Sequence, residues 1–281
     1  MRRILLAIFF FAILFPVDAQ QAQPWFFAVL SDPQFGMYAK DANFAQETAN
    51  FEFVIANLNR LHPRFVVICG DLINKPGAPA ELAEYKRIVG ELDPSIPVYN
   101  VAGNHDVGNI PTAESLAAYR AVIGPDYFTF TAGELFGIVL DSNLIRSPEA
   151  DPAAAGQQEQ WLKRTLASAQ TNSDQQVVVF QHIPYFIHDA AEPDDYFNIV
   201  QPARMKYLDL LERAGVQYVF AGHYHRNAGG IDGPLTEIVT GAAGMPLGGS
   251  LSGFRIVTVT GRQLNATWYR FGEIPNRINL P

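Results

Sequence analysis

Five short polar clusters in this chain could do chemistry: Asp32-Pro33-Gln34, Gly70-Asp71, Gly103-Asn104-His105-Asp106, Gln181-His182 and Gly222-His223-Tyr224-His225. Singly, each has a plain reading. Asp-Pro-Gln makes a turn, because Asp bonds its own backbone and Pro fixes φ; Gly-Asp opens a loop, Asn-His-Asp caps a helix, and a lone histidine packs in a core. Together they read differently. Carboxylates, amides and imidazoles without a thiolate are the ligand types of hard-to-borderline divalent cations. Four of the six histidines fall in these clusters, although a random scatter would leave most of them elsewhere. Two ions that share one carboxylate lie about 3.5–4 Å apart, close enough to clamp an in-line displacement at phosphorus.

Such a constellation needs elements that bring its members together. Apolar runs of strand length recur at 25–30, 65–69, 97–102, 135–140, 176–181, 216–221 and 236–240, and the clusters stand at or just beyond the ends of five of them. Between the first two runs, Phe44, Thr48, Phe51, Ile55 and Leu58 recur at helical spacing. Further helices are predicted at 79–90, at 112–122 opening on a Thr112 cap, at 157–169, and at 202–214 with Pro202 near its first position. This alternation is an α/β pattern, in which the carboxyl ends of the strands collect at one sheet edge. One edge would hold all five clusters. The last third reads as strand and glycine turn, and 254–260 with 264–271 are expected to close a second sheet. Two long connections remain. Residues 141–156, rich in Ala, Pro and Ser, read as a flexible rim; residues 184–201 carry Tyr185, Phe186, Tyr196 and Phe197 and read as a pocket wall.

Composition narrows the partners. The 281 residues are 48% hydrophobic and 17% charged, enough for a sizeable core. Arg2 and Arg3 precede the apolar run Ile4 to Phe15, with Val17-Asp18-Ala19 at a cleavage point, so residues 1–19 read as a signal peptide and 20–281 as one domain. The chain is accordingly expected to be exported, periplasmic or secreted, with no stable membrane anchor after cleavage. Without residues 1–19 the balance is 18 basic to 27 acidic residues and no long basic cluster remains, so no nucleic-acid partner is expected. The only cysteine, Cys69, lies in an apolar run and reads as a packing residue.

The order D-x-Q, GD, GNHD, xHxP and GHxH resembles the calcineurin-like metallophosphoesterase superfamily, whose usual first motif is D-x-H. The stretches "SDPQFG", "GDLINK", "AGNHDVGN", "LDSN", "FQHIPYF", "DDYFN" and "GHYHRNAGG" are similar to its branch of calcineurin-like phosphoesterase domain-containing proteins, which are serine/threonine phosphatases. The resemblance runs from about residue 25 to 271. It implies a four-layer α/β/β/α sandwich of two mixed sheets and two divalent metal ions, drawn from Mn, Fe, Zn and Mg. It also implies roles. Asp71 would bridge the ions; Asp32 and His225, with Gln34 in the usual histidine position, would hold the first; Asn104, His182 and His223 would hold the second. His105 would donate to the phosphate and leaving group, Asp106 would orient it, and a metal-bridging hydroxide would attack phosphorus.

The neutral amide of Gln34 is a weaker donor than imidazole, so the first site should bind its ion less tightly than a D-x-H site. Arg226 and Asn227, just after the last histidine, are candidates for substrate contact, together with Tyr185 and Tyr196 of the long connection. Asp141 follows a strand and reads as a structural or supporting residue. The expected activity is hydrolysis of phosphate monoesters, possible alternatives being a phosphodiesterase acting on nucleotides or lipid headgroups and an inactive binding module with a weakened first site.

Overall fold

The computed structural model describes residues 23–172 and 175–281; the expected signal segment lies outside the described residues. The first sheet contains β1 (Trp25–Leu30), β2 (Val66–Ile68), β3 (Val98–Asn100), β10 (Gly253–Thr260) and β11 (Gln263–Arg270), in the order β11-β10-β1-β2-β3. The second contains β4 (Phe128–Ala132), β5 (Leu135–Val139), β6 (Gln176–Phe180), β7 (Tyr218–Ala221), β8 (Ala228–Asp232) and β9 (Leu235–Val239), in the order β4-β5-β6-β7-β9-β8. Both sheets are mixed. In the first, β1, β2 and β3 are parallel and β10 runs against β1; in the second, β5, β6, β7 and β9 are parallel while β4 and β8 run against them.

Alternation along each strand builds the layers. Phe27 and Val29 of β1 pack between the sheets with Phe65, Phe180 and Phe220, whereas Ala28 and Leu30 turn outward onto helices α1 (Ala45–Leu61) and α2 (Pro79–Val89). On the far side, Ile138, Val177, Val179 and Val219 meet Leu162 and Leu166 of α6 (Pro152–Ala169) and Leu208 and Leu211 of α7 (Gln201–Arg213). Strands buried on both faces read as continuous apolar runs, which is why they were visible in the sequence. The result is the expected α/β/β/α sandwich. Three short helices complete it: α3 (Asn104–Val107), α4 (Ala113–Val122) and α5 (Ser142–Arg146). No helix among the described residues is long and apolar enough to cross a membrane.

Two expectations are corrected. The C-terminal hairpin does not close the second sheet: β10 pairs antiparallel with β1, from Trp25↔Val259 to Val29↔Arg255, and so extends the first. With β2 on one side of β1, the other side is open, and β10 has an apolar face for each neighbouring layer, Ile256 outward and Val257 and Val259 inward. Residues 141–156 are not a flexible rim either. The Asp141 carboxylate accepts from Asn143 N at 2.9 Å to cap α5, and Asp151 accepts from Ala154 N at 3.0 Å to cap α6, whose first residue is Pro152.

Candidate metal centre

Sheet geometry does the gathering. Asp32, Asp71 and Asn104 lie beyond the carboxyl ends of β1, β2 and β3, while His182, His223 and His225 lie beyond β6 and β7. Each sheet therefore contributes half of the side chains. Close approach is made possible by glycine: a Cβ on Gly103 would stand 2.8 Å from Asp71 Cα and nearer still to its amide nitrogen and Oδ1. The backbone is also bent into place. Asp32, Gln34, Asp71, His223 and His225 have φ of 51°, 40°, 51°, 67° and 56°, in the left-handed region that disfavours L side chains. Such positions are held only when the surroundings over-determine them.

Two groups of donors result. Asp71, His182 and His223 form one; Asp32, Asp71 and His225 form the other; within each, one ligand atom per residue lies within 4.8 Å of the others. Asp71 belongs to both. Its Oδ1 is 3.2 Å from His182 Nε2, His225 Nε2 is 3.4 Å from Asp32 Oδ1, and His223 Nδ1 is 3.2 Å from His182 Nε2. All five side chains are buried. The outward ring nitrogens are already engaged: His182 Nδ1 with Cys69 O at 2.7 Å, His225 Nδ1 with Met245 O at 2.6 Å, and His223 Nε2 with Tyr196 O at 3.0 Å. A ring nitrogen that donates to a carbonyl leaves its partner with a lone pair for a metal. Asn104 presents Oδ1 to His182 Nε2 at 2.9 Å while its Nδ2 donates to Asn109 Oδ1 and the Tyr196 hydroxyl. Asp32 Oδ1 and Gln34 Oε1 are buried acceptors without a hydrogen bond among the described residues. Donor types, burial and these orphaned oxygens fit a pair of divalent cations.

Burial and the carboxylate–imidazole pairs set the electrostatics of the cluster. Burial would lift the Asp71 carboxyl, yet the neighbouring imidazoles, His182 foremost, outweigh it and hold Asp71 well below the usual carboxylate range. Burial likewise works against a charge on His182, but Asp71 beside it carries its pKa up to about 9. Burial, reinforced by His182, pushes His223 down to about 3 and keeps it neutral.

The other predicted residues divide. The His105 amide donates to Asp71 Oδ1 at 2.9 Å and its ring Nδ1 contacts Asn74 O at 2.5 Å, which places the ring at the rim of the centre. Asp106 does not orient that ring. Its carboxylate accepts instead from the backbone N–H groups of Leu72, Ile73 and Gly103, bracing the two loops that carry Asp71 and Asn104. Burial, followed by the charge on Asp71, raises its carboxyl to about 8. Tyr196 stands at the centre, its ring 4.9 Å from that of His223. Tyr185, from the same connection, is fully buried in the outer core and offers nothing to a substrate, because Glu237 draws the Tyr185 and Phe186 amides inward. Asn227 is also structural: its Oδ1 accepts from Arg255 Nη2 at 2.7 Å and from Gly241 N at 3.3 Å. Arg226 lies 4.6 Å over the Tyr224 ring, beside His225 in sequence. Sequence reading missed Arg146, which donates to the Tyr196 carbonyl from 5.3 Å above its ring. Its signal was the Asp141 cap that opens α5.

The comparisons converge on one family. The Metallophos model, described as calcineurin-like phosphoesterase, matches residues 27–227. The chain is similar to the serine/threonine-protein phosphatase CPPED1 of Homo sapiens, with 37% identity over 276 residues that cover 92% of this chain and 88% of the relative. The Danio rerio protein of the same name is 34% identical over 269 residues, covering 90% and 87%. Among solved structures, a dimetal phosphatase from Danio rerio superposes with a TM-score of 0.62 at 17% identity, covering 89% of this chain and 100% of that one. The purple acid phosphatase PPD1 of yellow lupin does so at 0.66 and 13%, covering 89% and 52%. At those identities the structural likeness speaks for the fold. Sequence match, sandwich and paired donor groups together place the chain in the calcineurin-like phosphoesterase family, related to its CPPED1-like serine/threonine phosphatase branch, as a metal-dependent hydrolase.

Proposed function

We propose that the chain hydrolyses phosphate monoesters at this centre, with Asp71 holding both ions, Asp32, Gln34 and His225 completing the first site, and Asn104, His182 and His223 completing the second. The observation that carries the reading is the shared position of Asp71 in both donor groups. A bound pair of divalent cations would supply Lewis acidity and a water acidified towards neutral pH. The chain does the rest. His223, held neutral by burial, offers Nδ1 without first losing a proton, whereas His182 must release one. His105 has Nδ1 donating to Asn74 O, so Nε2 is the nitrogen left to face the leaving oxygen, and the doubly protonated ring would give its proton from there. Tyr196 and Arg146 form a rim over His223 against which the ester group would rest.

The relatives' name supports phosphoserine or phosphothreonine as the ester. The Arg2-Arg3 and Ile4 to Phe15 pattern supports export of residues 20–281 as one domain, and export would favour small phosphate esters as well. Hydrolysis of p-nitrophenyl phosphate, bis(p-nitrophenyl) phosphate and a phosphothreonine peptide should be measured with and without Mn²⁺. Metal-dependent turnover of the monoesters, abolished in Asp71→Ala and reduced about 10²–10⁴-fold in His105→Ala, is expected. Faster cleavage of the diester, or no turnover by the fully metallated chain, would refute the reading.

A further inference from the structure

Asn74 has no place in the roles assigned so far, yet it touches both ends of the reaction apparatus. It lies on the loop after β2, where Asn74 N donates to Phe35 O at 3.1 Å and to Glu81 Oε2 at 2.9 Å. Its backbone carbonyl contacts His105 Nδ1 at 2.5 Å. Its side-chain Oδ1 accepts from Gln34 Nε2 at 3.0 Å, and its Nδ2 donates to Asp41 Oδ1 at 2.5 Å.

The direction of these bonds follows from chemistry. An ionised carboxylate only accepts, so Asp41 demands the NH₂ end of Asn74; Asn74 then turns its oxygen to Gln34, which must answer with its own NH₂. Gln34 is left with Oε1 as its free end. That oxygen is buried without a hydrogen bond among the described residues, on a side chain 1% exposed and two residues from Asp32. A flipped Gln34 would set two oxygens against each other at Asn74 and bury an NH₂ where a cation is to be held, the second being the worse fault.

We propose that Asn74 is a positioning residue for the first metal site: with Asp41 behind it, it fixes the amide of Gln34 so that the carbonyl oxygen, and not the NH₂, faces the ion. The inference rests on the two-metal reading above. It assigns to Asn74 the support that a carboxylate or carbonyl gives a metal-bound histidine in other sites. The same residue also props the ring of His105, so one short loop sets both a ligand and the proton donor.

Mn²⁺ titration of the chelator-treated full chain by calorimetry, with bound metal counted by elemental analysis, tests this. The wild type should bind two ions. Asn74→Ala keeps the backbone carbonyl under His105 but removes the amide bond, and should weaken one ion about 10-fold or more while leaving the other within about 2-fold. Gln34→Ala should weaken the same ion, and adding Asn74→Ala to it should cause no further loss. Equal losses in both backgrounds, unchanged affinities in either single variant, or fewer than two ions in the wild type would overturn the proposal. Thermal unfolding in EDTA shows whether Asn74→Ala folds. If it does not, Asp41→Asn carries the test, because an amide at 41 no longer dictates the direction: about 3-fold or greater weakening of that same ion upholds the proposal, and no change overturns it. A wild type that binds both ions, follows the cycle and hydrolyses no phosphate ester would sink the functional reading and still uphold the role of Asn74.

Discussion

Replacing Gly103 by alanine isolates how tightly the two loops of the first sheet must meet. Its φ of −96° and ψ of 168° are open to any residue, so backbone strain plays no part. The added Cβ, however, would lie 2.8 Å from Asp71 Cα and closer to its amide nitrogen and Oδ1, against a limit of 3.0 Å that real Cβ atoms respect. Asp71 cannot simply lean away: its carbonyl accepts from Gln34 N at 2.9 Å and its Oδ1 from His105 N at 2.9 Å. A retreat on the order of 1 Å would carry the shared carboxylate off its position 3.2 Å from His182 Nε2, and misplacement of that size costs about 100-fold in rate. Overpacking adds roughly 1–3 kcal/mol of lost stability, or several degrees in Tm for a chain of this size. Gly103→Ala should therefore lower kcat/KM for p-nitrophenyl phosphate about 100-fold and weaken Mn²⁺ binding, with Tm read in parallel. Gly156→Ala, in α6 where a Cβ meets nothing within 4 Å, is the matched control and should be neutral or slightly stabilising. A Gly103→Ala enzyme with wild-type turnover and both ions bound would refute the claim that this contact sets the geometry.

Gln34→His should tighten the first site, because an imidazole can donate one ring nitrogen to Asn74 and keep the other for the ion; calorimetric Mn²⁺ titration showing no gain would mean that position 34 does not ligate. His182, lifted to about 9 by Asp71, must lose its proton when metal binds, so apparent affinity should rise about tenfold per pH unit below that value, as titration at pH 6, 7 and 8 would show. Asp141 has its carboxyl raised to about 7 by burial, so the folded state holds a proton that the unfolded state releases. The stability this confers is complete below the unfolded pKa and is lost as pH rises to about 7, by up to roughly 1.4 kcal/mol per unit. Asp141→Asn should flatten that slope in urea denaturation at pH 5 and 8, its advantage appearing at pH 8.

Much of the centre was legible because its signal is local. An apolar run that ends in Asp, Asn or His marks a strand's carboxyl end, and parallel pairing then does the assembling, as with Asp71 after Ile68 and His182 after Phe180. What stayed hidden depends on partners far along the chain. Nothing near Phe254 says that β1 has a free edge. Tyr185 and Tyr196 share a connection and a residue type, yet Glu237, some fifty residues away, decides that the first points inward. Asp106 sits beside His105 in sequence, but three backbone N–H groups compete for its carboxylate and win. The caps at Asp141 and Asp151-Pro152 were readable, and the surrounding Ala, Pro and Ser masked them.

The division of the ligands between the two sheets has a consequence for how the molecule comes into being. Asp32 and Asp71 belong to the early part of the chain and His182, His223 and His225 to its later part, so neither donor group exists until the aromatic layer of Phe27, Phe65, Phe180 and Phe220 has closed. The two sheets meet across some 190 residues of chain in the contact of His223 N with Asp32 Oδ2. An intermediate with one sheet built would hold neither ion firmly. Metal capture thus requires the two sheets to have docked, and its time course in a refolding experiment follows that docking.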